Sequence, residues 1–491
     1  MLDLLKNYVH QVEPFQHQRD HLYKNIGRKA WGLLWEQGTA KTKPIIDTAA
    51  IQYTLGNING LLVVAPPGVE RNWNTDEIPK HMPPDVALDT LVQVFKTAKK
   101  GTAAHKRAME SLFTHDGLSV LLISYNAFMT KEGKELCKKF LTKREVLMVL
   151  DEAHNIKTPN AKRTKTIVAA GKYAKYRRIL TGTPISVGPF DLYSQIKFLD
   201  EWFWKNKGIH GTVEFRNFFG RWFTRSDCQR LHGYDPGYDK LIEYQNLDKL
   251  AEWLNEISDR VVKDEVLDLP PKLYQKRYFE ASREMRAAYE ELKEELMIEV
   301  GDSMITAELP IVMLLRLQQI ACNYVPVGED EPVHMFSEKN PRLAVLEQID
   351  EEVYGQGIIW ARFHHDIDQI MELLGDKACR YDGTIDDDTA EQNKLAFQRG
   401  EYKWFVGNAQ KGGSGLTLTQ AKTVVYYSNS FRLIDRLQSE DRAHRGGMDE
   451  HPVNYIDIMS DFDIDNHIVT NLRNKKEVST EILGDAMKEW I

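Results

Sequence analysis

Short apolar runs, often β-branched, that alternate with helical patterns constrain the fold of this 491-residue chain more than any other feature. In the early half they are WGLLW (31–35), LLVVA (61–65), SVLLIS (119–124), VLMVLD (146–151) and RRILT (177–181). A second set comes much later: GIIWA (357–361), ACRYD (378–382), KWFVG (403–407), TVVYY (423–427) and VNYIDI (453–458). Apolar runs of this length, separated by helices, read as parallel strands buried on both faces. The expected class is α/β with two sheets, and no sequence repeat relates them. The length exceeds one ordinary core, which makes two or three domains the prior.

The stretch from about 186 to 335 has another character, helical in pattern and rich in aromatics. In FRNFFGRWF, Phe215, Phe218, Phe219, Trp222 and Phe223 fall at i, i+3, i+4, i+7 and i+8. That spacing predicts a buried helix face in preference to a base-stacking platform. ASREMRAAYEELKEELMIEV (281–300) predicts one long amphipathic helix, and LPPK (269–272) breaks the helical pattern and marks a boundary. A hydrophobic content of 42% with 28% charged residues is that of a soluble globular protein. No apolar run approaches a membrane span, and MLDLLKNYVHQVEPF lacks the features of an export signal. The four cysteines (Cys137, Cys228, Cys322, Cys379) are too scattered for a zinc signature or a disulfide framework, and a reducing compartment fits them best. With a net charge of −8, any nucleic-acid contact has to come from local patches.

Two segments carry chemistry. In WGLLWEQGTAKTKPIIDTAA a strand ends in a glycine-bearing turn and opens a helix, which aims backbone N–H groups at an anion. Gly38, Thr39, Ala40, Lys41 and Thr42 would form the phosphate loop, with Lys41 on the β- and γ-phosphates and the Thr42 hydroxyl on Mg²⁺. Trp35 stands where the full loop pattern has a glycine, so this segment alone also fits a turn with a solvated lysine. VLMVLDEAH (146–154) ends an apolar strand in two adjacent carboxylates. Asp151 would hold the metal and Glu152 would polarise the attacking water. Two acids after a buried strand are costly unless something positive binds there, although acids at a helix start are favourable by themselves. Both motifs, in this order and each after its own strand, point to an ATP site.

DEAHNIK followed by RRILTGTPIS (177–186) resembles the Snf2 branch of superfamily 2 helicase-like ATPases, and the resemblance runs along nearly the whole chain. FQHQRDHL (15–22) is similar to the glutamine motif, with Gln18 the implied adenine reader. VVAPPGVERNW (63–73) and ISYNAF (123–128) resemble the motifs ahead of the acid pair. ISDRVVKDEVLDLPPK (257–272) resembles the segment linking the lobes, and MLLRLQQIACNYV (313–325) the helix before the second lobe. GIIWARFHHDI, RYDGTIDDDTAEQNKLAFQRG, KGGSGLTLTQAKTVVYY and QSEDRAHRGG resemble motifs IV, IVa, V and VI. The wording GLTLTQA and EDRAHR is nearest to the annealing-helicase, fork-remodelling subgroup.

The resemblance implies two RecA-like lobes, parallel sheets flanked by helices, with a helical insertion between them. Lobe one would be 1–200, the protrusions and linker 201–335, and lobe two with a C-terminal helix 336–491. It implies ATP and Mg²⁺ as cofactors, and Arg442 and Arg445, three residues apart and hence on one helix face, completing the ATP site from lobe two. A surface helix pairing with Glu440 or Asp441 is the bland alternative for these arginines. Thr181, Gly182 and Thr183 would link the acid pair to DNA. Gly413, Ser414 and Thr417 would offer small groups and N–H donors to DNA phosphates. Lys157, Lys162, Arg163 and Lys165 would add charge, or simply form an exposed basic helix.

The chain departs from the family pattern at Ala40, at Gly446, Gly447 and Met448 after Arg445, and in lacking an arginine near Ala390. Alanine at 40 suits a loop with negative φ there. The implied function is an ATP-dependent translocase on double-stranded or branched DNA, soluble and intracellular, in a bacterium or an infected host cell, with the nucleus as another possibility. A monomer with a protein targeting partner is expected. A strand-separating or branch-migrating helicase and a non-hydrolysing ATP-binding scaffold are the alternatives.

Overall fold

Along Leu61–Val64 successive side chains enter opposite apolar layers. Leu62 and Val64 join Leu121, Ile123, Met148 and Leu150 on one face. Leu61 and Val63 join Val120, Leu122, Leu147 and Val149 on the other. A strand buried on both faces needs apolar residues at every position, which is why these runs are continuous and not alternating. The structure is a computed structural model. It describes residues 8–233, 237, 239–295, 297–300, 303–306, 310–327, 333–412, 416–448, 450–486 and 490–491. The chain forms two units, Met1–Asp268 with Glu477–Met487, and Leu269–Lys476 with Lys488–Ile491.

The strands of unit 1 are β1 (Ala30–Leu33), β2 (Gly60–Ala65), β3 (Thr90–Val94), β4 (Leu118–Ser124), β5 (Val146–Asp151), β6 (Tyr176–Leu180), β7 (Gly220–Phe223), β8 (Lys240–Tyr244) and β9 (Ser258–Asp259). Seven of them make one sheet in the order β3-β4-β2-β5-β6-β1-β9, and every pairing in it is parallel. Helices fill the crossovers. Lys131–Lys143 starts where the Thr130 hydroxyl accepts from the Gly133 N–H, a side-chain cap for an otherwise unpaired donor.

Unit 2 contributes β10 (Lys272–Phe279), β11 (Met297–Val300), β12 (Ser303–Thr306), β13 (Tyr324–Pro326), β14 (Val333–Met335), β15 (Gly357–Trp360), β16 (Ala378–Tyr381), β17 (Trp404–Gly407), β18 (Thr423–Tyr426) and β19 (Val453–Ser460). Its main sheet runs β10-β19-β18-β15-β17-β16, again parallel throughout. Ile359, Val406, Val425 and Ile456 lie in one apolar layer and Ile358, Phe405, Val424 and Tyr455 in the other. The fold is therefore α/β with two parallel sheets flanked by helices, as the apolar runs require.

The intermediate region differs from its expected helical character. The helix Thr212–Phe219 stops before Gly220, and Gly220–Phe223 is β7, paired antiparallel with β8. Trp222 and Phe223 therefore do not share the helix face of Phe215 and Phe219, which are the buried pair. Glycine ends the helix and allows the close approach of β8, because a Cβ at Gly220 would lie 2.9 Å from Leu241 Cδ1. The helix expected over 281–300 spans only Arg283–Glu295. Met297–Val300 turns instead into a hairpin with Ser303–Thr306, whose registers include Met297↔Thr306 and Val300↔Ser303. The unit boundary lies at Asp268/Leu269, inside the segment ending in LPPK, so residues 201–268 belong to unit 1 and 269–335 to unit 2. All four cysteines are buried free thiols. No helix among the described residues is long and apolar enough to cross a membrane.

Candidate nucleotide site

Within unit 1, β1 leads through residues 34–41 into the helix Thr42–Thr54, with Lys41 as its N-cap and Thr42 as its first residue. The loop between is held from inside. The Thr39 hydroxyl donates to the Glu36 carbonyl at 2.7 Å, and the Lys41 ammonium donates to the same carbonyl at 3.1 Å. Gly38 has φ 81°, a conformation natural to glycine, but Ala40 has φ 56°. The expectation that alanine sits here at negative φ is wrong. A left-handed alanine crowds its Cβ against the following carbonyl, at a cost of about 1–2 kcal/mol. Gln18 offsets part of that strain. Its Nε2 donates to the Ala40 carbonyl at 2.8 Å while its Oε1 accepts the Phe15 N–H at 2.8 Å. With 1% exposure, Gln18 is thus a brace of the loop. Only its second amide hydrogen and second lone pair remain for reading adenine.

The acid pair stands at the tip of β5. Asp151 is the last residue of the strand and accepts the Trp73 indole N–H at 2.9 Å on Oδ2. Burial, reinforced by the negative charge of Glu152, pushes the Asp151 carboxyl up to about 6; the Trp73 hydrogen bond and the Lys41 charge pull the other way. Glu152 has φ 50°, the second non-glycine residue of the site in the left-handed region. Its Oε1 accepts the Gln37 amide at 3.4 Å and its Oε2 lies 3.3 Å from His154 Nδ1. Two strained residues on neighbouring loops, each over-determined by hydrogen bonds, are the pattern of a site held in a working geometry.

Thr181, Gly182 and Thr183 follow β6 and close against both loops. The Thr181 hydroxyl accepts the Thr183 N–H at 3.2 Å and lies 3.4 Å from His154 Nδ1. A Cβ at Gly182 would lie 2.5 Å from Gln37 Cγ. Gln37 is therefore seated between Gly182 and Glu152, and it joins the phosphate loop, the acid pair and the Thr181–Thr183 segment. Trp73, Gln37 and His154 were not singled out from the sequence. All three lie inside the quoted motif segments, but only the folded loops bring them onto the carboxylates. Lys157 is engaged by the Ser186 hydroxyl and Arg163 by Asn126, at 2.7 Å for the latter, so these two are tied into the unit's own polar network.

In unit 2, Arg442 and Arg445 converge on one acceptor. Arg442 Nη1 donates to the Leu416 carbonyl at 2.9 Å, and Arg445 Nη1 donates to the same carbonyl at 3.1 Å and to the Thr417 hydroxyl at 3.0 Å. They do not share a helix face, because the helix ends at Glu440 and the arginines lie on the turn beyond it. Their convergence comes from that turn. Thr417 is thereby placed against the arginines, whereas Gly413 and Ser414 lie outside the described residues.

A nucleotide's Mg²⁺ is the metal such a site implies. Thr42 would supply one hydroxyl and Asp151 one carboxylate. That sparse oxygen set suits an ion that keeps its waters and takes phosphate oxygens, as Mg²⁺ does. No group of three or more His, Cys, Asp or Glu able to hold a metal occurs among the described residues.

Two parallel α/β units, the first with a glycine-bearing loop after β1 and an acid pair at the tip of β5, with β6 between those strands, define a helicase-like ATPase. Residues 7–324 match the SNF2-related domain and residues 341–447 the helicase conserved C-terminal domain. The chain belongs to the SNF2-related family of helicase-like ATPases. It is 25% identical over 429 residues to human DNA annealing helicase and endonuclease ZRANB3, across 84% of this chain and 35% of that protein. It is 23% identical over 471 residues to transcription regulatory protein SNF2 of Saccharomyces cerevisiae, across 91% of this chain and 26% of that one. The chain thus spans about a third or less of these relatives' length. Among solved structures it is similar to the Sulfolobus solfataricus SWI2/SNF2 ATPase core in complex with dsDNA, with TM-score 0.41, 20% identity, and coverage of 98% of this chain and 99% of the other.

Proposed function

We propose that this chain is an ATP-dependent double-stranded DNA translocase of the Snf2 type that remodels DNA structures or protein–DNA complexes. The observation that carries the proposal is the joining of Lys41, Asp151 and Glu152 by one braced set of loops in a member of this family. Lys41 would neutralise the β- and γ-phosphates and Glu152 would orient the attacking water, taking its proton through a carboxylate held by Gln37. Thr42 and Asp151 would hold Mg²⁺, which adds charge neutralisation at the phosphates when bound. Arg442 and Arg445 would act on the same nucleotide from unit 2, exchanging the Leu416 carbonyl for phosphate oxygens, a stronger charge-assisted partner. ATP then favours one arrangement of the units and hydrolysis releases it, which is the differential affinity that directed movement requires.

Duplex DNA is proposed because a relative's name gives it as a DNA annealing helicase and because the motif wording is nearest to that subgroup. Thr181–Thr183 would carry the coupling through Gln37 and His154, and Gly413, Ser414 and Thr417 would meet DNA phosphates. A branched duplex such as a stalled fork is the first substrate to try, and a partner protein would supply targeting. Left-handed Ala40 favours a second reading, an ATP-binding scaffold without turnover. ATP hydrolysis measured with no polymer, single strands, duplex, branched DNA and RNA separates them. Duplex stimulation without strand separation supports the translocase, and single-strand stimulation with unwinding supports a helicase. No turnover under any condition supports the scaffold.

A further inference from the structure

The chain passes between the two units after Asp268, Lys476 and Met487. On the unit 2 side, all three crossings lead to one carboxylate. Glu440 has a side chain with no exposure. Its Oε2 accepts from Lys272 Nζ at 3.0 Å and from the Tyr274 hydroxyl at 2.9 Å, four and six residues beyond the first crossing. Its Oε1 accepts from Trp490 Nε1 at 3.1 Å, three residues beyond the last crossing. Lys476, the residue at the second crossing, lies over the Trp490 ring at 4.3 Å and adds its charge to those acting on Glu440. Arg436 completes the set, donating to Oε1 at 2.9 Å.

The same carboxylate begins the arginine turn. Glu440 is the last residue of its helix, two positions before Arg442, and its carbonyl accepts the His444 N–H at 3.3 Å. The His444 ring in turn lies 2.7 Å from the carbonyl of Pro270, two residues past the first crossing. Four donors on one buried carboxylate give a site with well-defined positions, since a displaced donor would leave a buried lone pair unsatisfied.

We propose that Glu440 is a positioning residue that ties the Arg442–Arg445 turn to the three connections between the units. A change in the path of any connection is then delivered to the two guanidiniums through Lys272, His444 or Trp490. The arginines are set by the connections and do not depend on nucleotide alone. This rests on the proposed role of the arginines in turnover, so one arm of its test does not use turnover.

Glu440→Gln and Trp490→Phe are compared with the double change Glu440→Gln/Lys272→Met. The double change removes the charge pair together and so avoids an unpaired, half-buried lysine. Amide hydrogen exchange over 441–448 is expected to rise about tenfold in all three, the scale of one lost hydrogen bond, while exchange over 433–438 stays as in wild type. With duplex DNA, kcat is expected to fall about tenfold in the double variant with KM for ATP unchanged, even where its melting temperature returns to the wild-type value. Unchanged exchange at 441–448, or wild-type kcat in the double variant, overturns the proposal. A wild-type protein that hydrolyses no ATP overturns the function proposed above, and the exchange arm still decides the role of Glu440.

Discussion

Trp73 donates its indole N–H to Oδ2 of Asp151 at 2.9 Å, which gives a carboxylate at the tip of a buried strand its one neutral side-chain partner among the described hydrogen bonds. That bond favours the charged form and opposes the burial that raises the group. Trp73→Phe keeps the ring and removes the donor. It should cost roughly 1–3 kcal/mol in stability, the penalty of a stranded buried acceptor. It should also raise the Mg²⁺ concentration needed for half-maximal ATP turnover. Thermal melting and a Mg²⁺ titration check both.

Asp151 also predicts a pH dependence. Its folded pKa lies at about 6 against an ordinary 3.8, raised first by burial and then by Glu152. The fold therefore favours the protonated form. Its contribution to stability is complete below about pH 4 and is lost as pH climbs through 6. Asp151→Asn, neutral at every pH, should match the wild type near pH 4. Without nucleotide it should be more stable by about 1–3 kcal/mol above pH 7. Chemical denaturation at the two pH values reads the difference directly.

Ala40→Gly should relieve the left-handed strain of the phosphate loop. The gain of about 1–2 kcal/mol is partly offset by the greater freedom of an unfolded glycine, about 0.4–1 kcal/mol. A net stabilisation of up to about 1.5 kcal/mol follows, with ATP affinity equal or tighter. Differential scanning calorimetry and nucleotide titration test it. A loss of stability would show that Ala40 is not strained.

Gly182→Ala should do the opposite. The new Cβ would fall 2.5 Å from Gln37 Cγ and 2.9 Å from its backbone nitrogen, so Gln37 must move and Glu152 loses its amide donor. Overpacking of this kind costs about 1–3 kcal/mol. Turnover should fall by a larger factor than ATP affinity, which steady-state kinetics beside a binding titration would show.

These positions also show what a sequence alone discloses. The place of the acid pair at a strand tip was legible because an unbroken apolar run, Val146–Leu150, leads straight into it, and Lys41 at a helix start because a glycine-bearing turn precedes it. The conformation of Ala40 was not, since the residue type argues against the φ that the loop imposes. β3 escaped because Thr90–Val94 is an edge strand, half-buried along its length, and lacks a solid apolar run. β10 escaped for a related reason. Its lysines, arginine and glutamine suit a linker, yet Lys272–Phe279 pairs residue for residue with Val453–Ser460 at the sheet's edge. The MIEV segment was absorbed into the amphipathic pattern over 281–300, and SMIT beyond it carried no reading, although Gly301 and Asp302 between them are a hairpin signal in the sequence. The arginine pair was found by its motif, but its common acceptor, Leu416, is visible only in the folded turn.

The proposed function needs Lys41 and the arginine pair to serve the same phosphate. It is tested most directly by single-turnover hydrolysis of pre-bound ATP, with saturating duplex DNA, in Arg442→Ala/Arg445→Ala. ATP binding is expected within a few-fold of wild type, because unit 1 would carry it, with a hydrolysis rate lower by on the order of 10³-fold, the usual worth of an arginine aimed at the transferring phosphoryl group. Wild-type hydrolysis in the double variant would contradict it.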